Sequence, residues 1–138
     1  MVPAYVWGDL YIKHTNAMLL LQKRAARVIV DAAWDARPSQ AIFEELTIIP
    51  FKERVARMKA KIVYKALNGL TPSYISEKFT LFNAIHNKNT RNSKNLILPQ
   101  VKRSFGEHTF AFSAAKIWNS LDNDLKKCKT LSSFSKKL

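Results

Sequence analysis

The sequence predicts a mainly α-helical fold with a small antiparallel β element, in a single helical domain that leans toward the α+β class. Apolar residues recur at helical spacing over most of the 138-residue chain, whereas Leu96/Leu98 and Phe110/Phe112 alternate as residues of paired strands do. The hydrophobic content of 47% is sufficient for one core in a chain of this length. Residues 1–138 are therefore expected to form one domain.

The first part of the chain is predicted to be helical over residues 15–80, after an irregular lead-in over residues 1–14. A first helix is expected from Asn16 to Val30, with Thr15 or Asn16 as its cap. Five apolar residues share one face of it and are its expected core side: Met18, Leu21, Ala25, Val28 and Ile29. A short helix should follow from Ser39 to Leu46.

The clearest helix signal lies between Pro50 and Gly69, because proline suits a first helical turn and glycine suits a helix end. Its expected core side is one continuous apolar stripe, made of Phe51, Val55, Met58, Ile62 and Ala66. Thr71 is then expected to cap a short helix that starts at Pro72 and runs toward Phe79.

The second part is predicted to contain a basic loop, a β-hairpin and C-terminal helices. Residues 83–95 hold five asparagines without apolar periodicity, which is typical of an exposed loop. Residues 96–138 should begin with the strand pair and continue into helices. Ser113 is expected to cap a helix carrying Ile117, Trp118 and Leu121, and Thr130 should begin a last helix that buries Leu131 and Phe134.

The charge balance indicates a polyanionic partner, since 23 basic residues stand against 10 acidic ones and give a net charge of +13. Cys128 is the single cysteine, which excludes an internal disulfide and favours a reducing intracellular compartment, cytoplasmic, nuclear or both. The longest apolar run, Ala17 to Leu21, is far shorter than the roughly 18 residues that span a bilayer. No signal-peptide pattern is read at the start, and no membrane partner is expected.

Basic residues form rows on two of the predicted helices. On the helix after Pro50, four cations fall within a sector of about 80°, with Tyr64 at its border: Arg54, Arg57, Lys61 and Lys65. On the first helix Lys23, Arg24 and Arg27 lie away from the apolar face, and the loop adds Lys88, Arg91 and Lys94. A cation row matches a phosphate backbone, so these eleven residues are the candidate nucleic-acid contacts. The competing interpretation is a solvated helix face.

Aromatic rings offer a second route to nucleic acid, by stacking on bases. The candidates are Trp118, Phe110, Phe112, Tyr64 and Tyr74. Core packing is the expected role for most of them, because Trp118 lies next to Ile117 and the two phenylalanines alternate. For Tyr64 both roles remain open.

No arrangement in the sequence supports catalysis, a metal or a cofactor. The acids are scattered, and Asp122 and Asp124 lack a partner carboxylate for a two-metal site. His14, His86 and His108 show no metal-ligand spacing, and no glycine-rich phosphate loop occurs. The chain is therefore expected not to be an enzyme.

Three phrases stand out along the sequence: residues 21–29 (LQKRAARVI), residues 64–75 (YKALNGLTPSYI), and Phe110-Ala111-Phe112 running into Ile117-Trp118-Asn119-Ser120-Leu121. Their order and spacing resemble the region after the polymerase core in LINE-type (non-LTR) retrotransposon reverse transcriptases. Shorter matches are Val6-Trp7-Gly8, Thr90 to Ser93, Leu96 to Pro99, and Thr130 to Leu138. The chain departs from the family pattern at Asp122, where proline is common, and at Ser135, where lysine is usual.

The resemblance implies a non-catalytic segment that positions template–primer or the element's own RNA through backbone contacts. The polymerase's paired aspartates are absent, and a separate reverse transcriptase core would supply the active site. Two alternatives stay open: an interaction or scaffold domain that packs on such a core, and a degenerate transposon remnant without a present role.

Overall fold

The structure is a computed structural model that describes residues 12–33, 35, 38–85, 93–102 and 104–138. Its contacts group the chain into two compact units, Met1–Val55 and Ala56–Leu138. The sequence predicts one domain, and each unit is described by itself.

The described residues are mainly helical, which confirms the main part of the predicted fold class. The helices are α1 (Ile12–Ile29), α2 (Ser39–Glu45), α3 (Phe51–Leu67), α4 (Ser73–Ser76), α5 (Phe82–Ile85), α6 (Ser104–Glu107), α7 (Phe110–Ser120), α8 (Asn123–Lys126) and α9 (Leu131–Lys137). Because α1 begins at Ile12, the end of the predicted lead-in is helical, and residues 1–11 lie outside the described part. The predicted loop over 83–95 likewise begins within α5, and residues 86–92 are not described.

The first unit is built on the contact of α1 with α2. Ala26, Ile42 and Phe43 form its buried core, and Leu19 and Val30 pack against them. The side chain of Gln22 also joins α1 to the start of α3. Its Nε2 donates to the carbonyl of Ile49 at 2.9 Å, and its Oε1 accepts from the N–H of Phe51 at 2.8 Å. One glutamine thereby satisfies a backbone donor at the start of α3 that has no partner within the helix.

The predicted core side of α1 is wrong. The five apolar residues from Met18 to Ile29 that were assigned to it are all exposed. The buried side instead contains Leu19, Ala26 and Val30, which recur at intervals of seven and four residues. The small side chain of Ala26, 1% exposed, fits against α2. Both sides of α1 carry apolar residues at helical spacing, and only the contact with α2 decides which side is covered.

The core of the second unit lies between the C-terminal part of α3 and helices α7 and α9. Phe134 is fully buried there, with its ring centroid 4.7 Å from that of Tyr64 and 5.9 Å from that of Trp118. Ala60, Val63, Ala66, Phe79, Leu96, Ala114 and Ala115 complete this core. The last helix begins at Thr130 as predicted, and Thr130 Oγ1 caps it by accepting from the N–H of Ser133 at 3.2 Å.

Helix α3 ends where the sequence predicts. Gly69 has a φ of 68°, a left-handed conformation that favours glycine. The N–H of Leu70 donates to the Lys65 carbonyl at 2.8 Å, and the N–H of Gly69 donates to the Ala66 carbonyl at 3.3 Å. This pair of bonds is a Schellman motif, which satisfies carbonyls that the helix end leaves without partners.

The predicted apolar stripe of α3 is only partly its core side. Val55 and Ala66 are buried, but Met58 and Ile62 are half-buried. The buried residues extend around the helix to four others, Lys59, Ala60, Val63 and Tyr64. The core is therefore centred on a direction rotated away from the predicted stripe. Lys59 and Tyr64 can lie on it because each has a hydrogen-bond partner there.

The predicted strand pair is wrong. Phe110 and Phe112 lie in α7, whose apolar residues recur at helical spacing from Phe110 through Ala114 and Ile117 to Leu121. Thr109, not Ser113, occupies the N-cap position. The described residues contain an isolated antiparallel bridge between Leu81 and Leu96 and no strand.

The predicted cap at Thr71 is also wrong. Pro72 occupies the N-cap position of α4, which has no side-chain cap. The Thr71 hydroxyl is buried and has no hydrogen-bond partner in the described part of the chain. The next residue, Pro72, has no backbone N–H, so it cannot donate a hydrogen bond to this hydroxyl.

Three side chains of the C-terminal helices hold the segment 94–96 against the core. The Asn119 amide accepts from the Leu96 N–H at 2.7 Å and donates to the Leu96 carbonyl at 2.9 Å. Trp118 Nε1 donates to the Lys94 carbonyl at 3.0 Å. Lys126 Nζ donates to Asn95 Oδ1 at 2.9 Å and to the Asn119 carbonyl at 3.2 Å. We call these contacts the Asn119 clamp. They allow Leu96, 0% exposed, to be buried with its backbone groups paired.

Replacing Asn119 with alanine should lower the free energy of unfolding by about 2–4 kcal/mol, because both backbone groups of buried Leu96 lose their partner. Urea unfolding followed by circular dichroism measures the change. The matched control is Ser120→Ala, because the Ser120 hydroxyl donates to the Ile117 carbonyl of its own helix and is exposed. Its cost should stay below about 0.5 kcal/mol. Equal losses in the two variants would contradict the clamp.

The stability contributed by Lys126 should increase with pH. Burial lowers the pKa of its ammonium below the ordinary 10.5, and the charge of Asp122 opposes this only in part. Between the lowered pKa and 10.5 the unfolded chain binds more protons than the folded one, so stability rises with pH in that window. Urea unfolding at a series of pH values should show that the unfolding free energy of wild type increases relative to that of Lys126→Met as the pH rises. A pH-independent difference would be the contrary result.

Candidate nucleic-acid interface

The basic row of α3 lies outside the arc that faces the core of the second unit. At 3.6 residues per turn, the buried residues of this part of α3 take up an arc of about 160°, from Ala66 around to Tyr64. Arg57, Lys61 and Lys65 fall in the next 80° or so. All three are half-buried, so their stems lie along the helix while part of each side chain reaches solvent.

The three cations form a short line along the helix axis. From Arg57 to Lys65 the axial rise is about 12 Å. Within the described part of the chain, neither Lys61 nor Lys65 has an acidic partner, and the one acid on α3 is Glu53 in its first turn. Arg54, the fourth predicted member, is exposed and belongs to the first unit.

Lys59 shows that position, not residue type, decides the role of a cation on this helix. It lies two residues from Lys61 but is 0% exposed. Its Nζ donates to the Ser113 hydroxyl at 3.0 Å, which ties α3 to α7. The sequence assigned it no role, although the helical period places it on the side opposite the basic row. Lys59 is therefore a structural residue.

Tyr64 does not belong to the interface. Its side chain is 3% exposed, its ring stacks on Phe134, and its hydroxyl donates to the Cys128 carbonyl at 2.9 Å. A ring held in this way is not available to a base. The prediction that Tyr64 contacts nucleic acid is corrected by this burial, and the core-packing alternative is the observed one.

The remaining aromatic residues divide between core and surface. Trp118 is buried, and Phe110 packs against the core with its ring edge-on to Phe79 at a centroid distance of 6.1 Å. Tyr74 on α4 is instead 66% exposed. Phe112 is half-buried, so Tyr74 is the most exposed of the aromatic candidates named for base stacking.

The cations of α1 lie in the first unit and have three different environments. Arg24 is exposed and Lys23 is half-buried. The guanidinium of Arg27 donates to the Ser39 hydroxyl at 3.1 Å, so it connects α1 to α2. Arg24 and Arg27 also line an open groove of about 640 Å³, together with Val28, Asp31 and Ala32.

The loop cations can be located only in part. Lys94 is exposed, and its carbonyl accepts from Trp118 within the Asn119 clamp. Lys88 and Arg91 lie outside the described residues. The rows on α1 and α3 belong to different units and are treated as separate surfaces.

Two further findings concern other kinds of site. Within the described residues, no group of three or more His, Cys, Asp or Glu side chains is arranged to hold a metal ion. Among the helices of that same part, none has the length and apolar character needed to cross a bilayer.

No family model, curated protein or solved structure matches this chain. The resemblance to the non-LTR reverse transcriptases therefore rests on the phrases of the sequence and stays a prediction.

Two neighbouring lysines of α3 should respond differently to truncation. Lys59→Ala removes a fully buried stem and its bond to Ser113, and should cost about 2–3 kcal/mol of unfolding free energy. Lys61→Ala should cost less than about 1 kcal/mol, because its side chain reaches solvent. Urea unfolding compares the two, and a larger loss for Lys61 would contradict the assignment of the two sides of α3.

Proposed function

We propose that the chain is a non-catalytic nucleic-acid-binding domain that contacts the phosphate backbone of RNA, DNA or a hybrid with little preference for sequence. The observation that carries the proposal is the row of Arg57, Lys61 and Lys65 on the side of α3 away from the core. Part of each of these three side chains reaches solvent. The chain's net charge of +13 would attract such a partner over a distance of about a Debye length.

Contact with the backbone is favoured over stacking on bases. The ring of Tyr64, which borders the row in sequence, is buried, so the row offers cations without an adjacent aromatic platform. Lysine and arginine that contact phosphates position a nucleic acid but do not read its bases. This supports a positioning role, which is also what the resemblance to the tail of a polymerase implies.

The number of phosphate contacts determines how steeply the nucleic-acid affinity is expected to fall with salt concentration. Three phosphates neutralised by Arg57, Lys61 and Lys65 correspond to a log–log slope of about −2.7 on duplex DNA and about −2 on a single strand. Arg54, Lys23 and Arg24 would steepen the slope if they also contact the backbone. Arg27 is a weaker contributor because its guanidinium already bonds to Ser39.

Reversing two charges of the row tests the proposal. Arg57→Glu combined with Lys61→Glu should weaken binding at least about tenfold and make the salt slope shallower by about 1.8, because two phosphate contacts are lost. Fluorescence anisotropy with labelled duplex, hybrid and single-stranded oligonucleotides at several salt concentrations measures both quantities.

The matched control changes the same net charge elsewhere. Lys78→Glu with Lys116→Glu reverses two exposed lysines of the second unit and lowers the net charge from +13 to +9, as the test variant does. It should reduce affinity much less than the test variant. If the two variants lose affinity equally, binding depends on overall charge and the assignment to α3 fails. Unchanged affinity in the Arg57/Lys61 variant would overturn it outright.

A further inference from the structure

Beyond the C-terminal end of the basic row, the chain turns through an exposed corner that carries an aromatic ring. The corner comprises residues 68–74, from the end of α3 into the first turn of α4. Its two large apolar side chains, Leu70 and Tyr74, are 61% and 66% exposed. An exposed aromatic ring close to a line of cations is the combination by which proteins hold single-stranded nucleic acid.

The corner starts at the last cation of the row. The Schellman motif that ends α3 holds the Leu70 N–H on the Lys65 carbonyl at 2.8 Å, so the chain leaves the helix beside the backbone of Lys65. Tyr74 follows four residues after Leu70, and four residues span at most about 14 Å. At about 3.4 Å per stacked nucleotide, this distance corresponds to about four nucleotides or fewer. A strand whose phosphates contact the row can therefore reach the ring.

The backbone of α4 fixes the position of Tyr74. The Ile75 N–H donates to the Pro72 carbonyl at 3.0 Å, and the Glu77 N–H donates to the Ser73 carbonyl at 2.9 Å. Ile75 packs against the core of the second unit. Because successive side chains of a helix point about 100° apart, Tyr74 is directed away from Ile75 and toward solvent. A hydrogen-bonded turn thus presents the ring, which reduces the conformational entropy lost when a ligand binds.

Stacking at the corner adds to the phosphate contacts of the row without competing with them. On α3 itself the tyrosine that borders the cations, Tyr64, is buried, whereas Tyr74 lies beyond their end. Bases inside a duplex are stacked on one another, so an unpaired base is the one that can place its face on the ring. Every base has such a face, so stacking agrees with binding that has little sequence preference.

We infer that Tyr74 is a stacking site for an unpaired base next to the end of the basic row, with Leu70 between the ring and the row. The domain should accordingly prefer a duplex with a single-stranded extension to a blunt duplex. This inference rests on the proposed function, because the row has to hold the backbone that carries the unpaired base. It narrows the ligand from nucleic acid in general to nucleic acid with an unpaired segment.

Fluorescence anisotropy with the full chain tests the preference with three probes built on one duplex. One probe has a blunt end, one has an extension of about four unpaired nucleotides, and one has an abasic extension of the same length. The abasic extension keeps the phosphates and lacks the bases, so it separates stacking from added charge. Wild type should bind the probe with the unpaired bases at least about fivefold more tightly than either of the others. Extensions at the 3′ end and at the 5′ end are measured separately, and one of the two series should show the preference.

Substitutions of Tyr74 identify the ring, since none of them changes a charge. Tyr74→Ala should abolish the preference and leave the affinity for the blunt duplex and its salt slope unchanged, because no phosphate contact is lost. Tyr74→Phe keeps the ring and should keep the preference. The matched control is Leu98→Ala, which shortens an exposed apolar side chain elsewhere in the second unit and should also keep it. Circular dichroism checks that each variant is folded.

The results that would overturn the inference are distinguishable from failure of the proposed function. Equal binding of wild type to all three probes, with affinity still reduced in the Arg57/Lys61 variant, would retain backbone binding and remove the stacking site. A preference shared by the abasic probe, or one that persists in Tyr74→Ala, would assign it to the added phosphates or to another side chain. Absence of binding to every probe would overturn the proposed function and this inference together.

Discussion

The pairing of the Asn119 amide with both backbone groups of Leu96 is the interaction on which the second unit depends. At the bridge to Leu81 the Asn95 carbonyl and the Ile97 N–H pair with the backbone of residues 80–82, so the N–H and carbonyl of Leu96 itself need other partners before Leu96 can be buried. A side-chain amide can supply them because it presents a donor and an acceptor in one plane. Trp118 and Lys126 hold the neighbouring carbonyl and amide side chain. With this segment closed, the core covers the inner side of α3, and the basic row is left on the outside.

Two of the three phrases that carry the family resemblance, and the closing segment, meet in this core. Tyr64 belongs to one phrase, Trp118 and Asn119 to another, and Phe134 to the closing segment. The Phe134 ring centroid is 4.7 Å from that of Tyr64 and 5.9 Å from that of Trp118. These aromatic residues pack the core of the second unit. This part of the resemblance therefore concerns core residues, and the function has to be argued from the surface that they orient.

Local signals in the sequence predicted some helix ends correctly, because those ends depend on residues close in the chain. Gly69 and Thr130 act at their own helix ends, and both predictions are confirmed. The core side of α1 could not be predicted in this way, since apolar residues lie at helical spacing on two sides and only α2 distinguishes them. Alternation of Phe110 and Phe112 misled because two residues cannot separate a period of 2 from one of 3.6.

The candidate interface was predictable to a similar extent. Helical period alone places Arg57, Lys61 and Lys65 in one sector, and the rotation of the core leaves that sector accessible. The burial of Tyr64 was not predictable, because its partners, the Cys128 carbonyl and the Phe134 ring, are 64 or more residues away in sequence. Whether a residue at the border of a helix face is buried depends on partners that are distant in sequence. A local sequence pattern contains no information about those partners.

A net charge of +13 overstates how many cations can meet a polyanion. Lys59 and Lys126 donate to partners inside the second unit, and Arg27 donates to Ser39. Under the proposed function, a row of three cations binds the phosphate backbone with the affinity of non-specific binding. That corresponds to a dissociation constant of about 10⁻⁴ to 10⁻⁶ M at physiological salt. Affinity of this size positions a nucleic acid only when something raises the local concentration. Tethering to a second nucleic-acid-binding element would supply this, because it converts the weak contact into an intramolecular one. Under the proposed function, the row on α3 is therefore an accessory contact that adds to a stronger one.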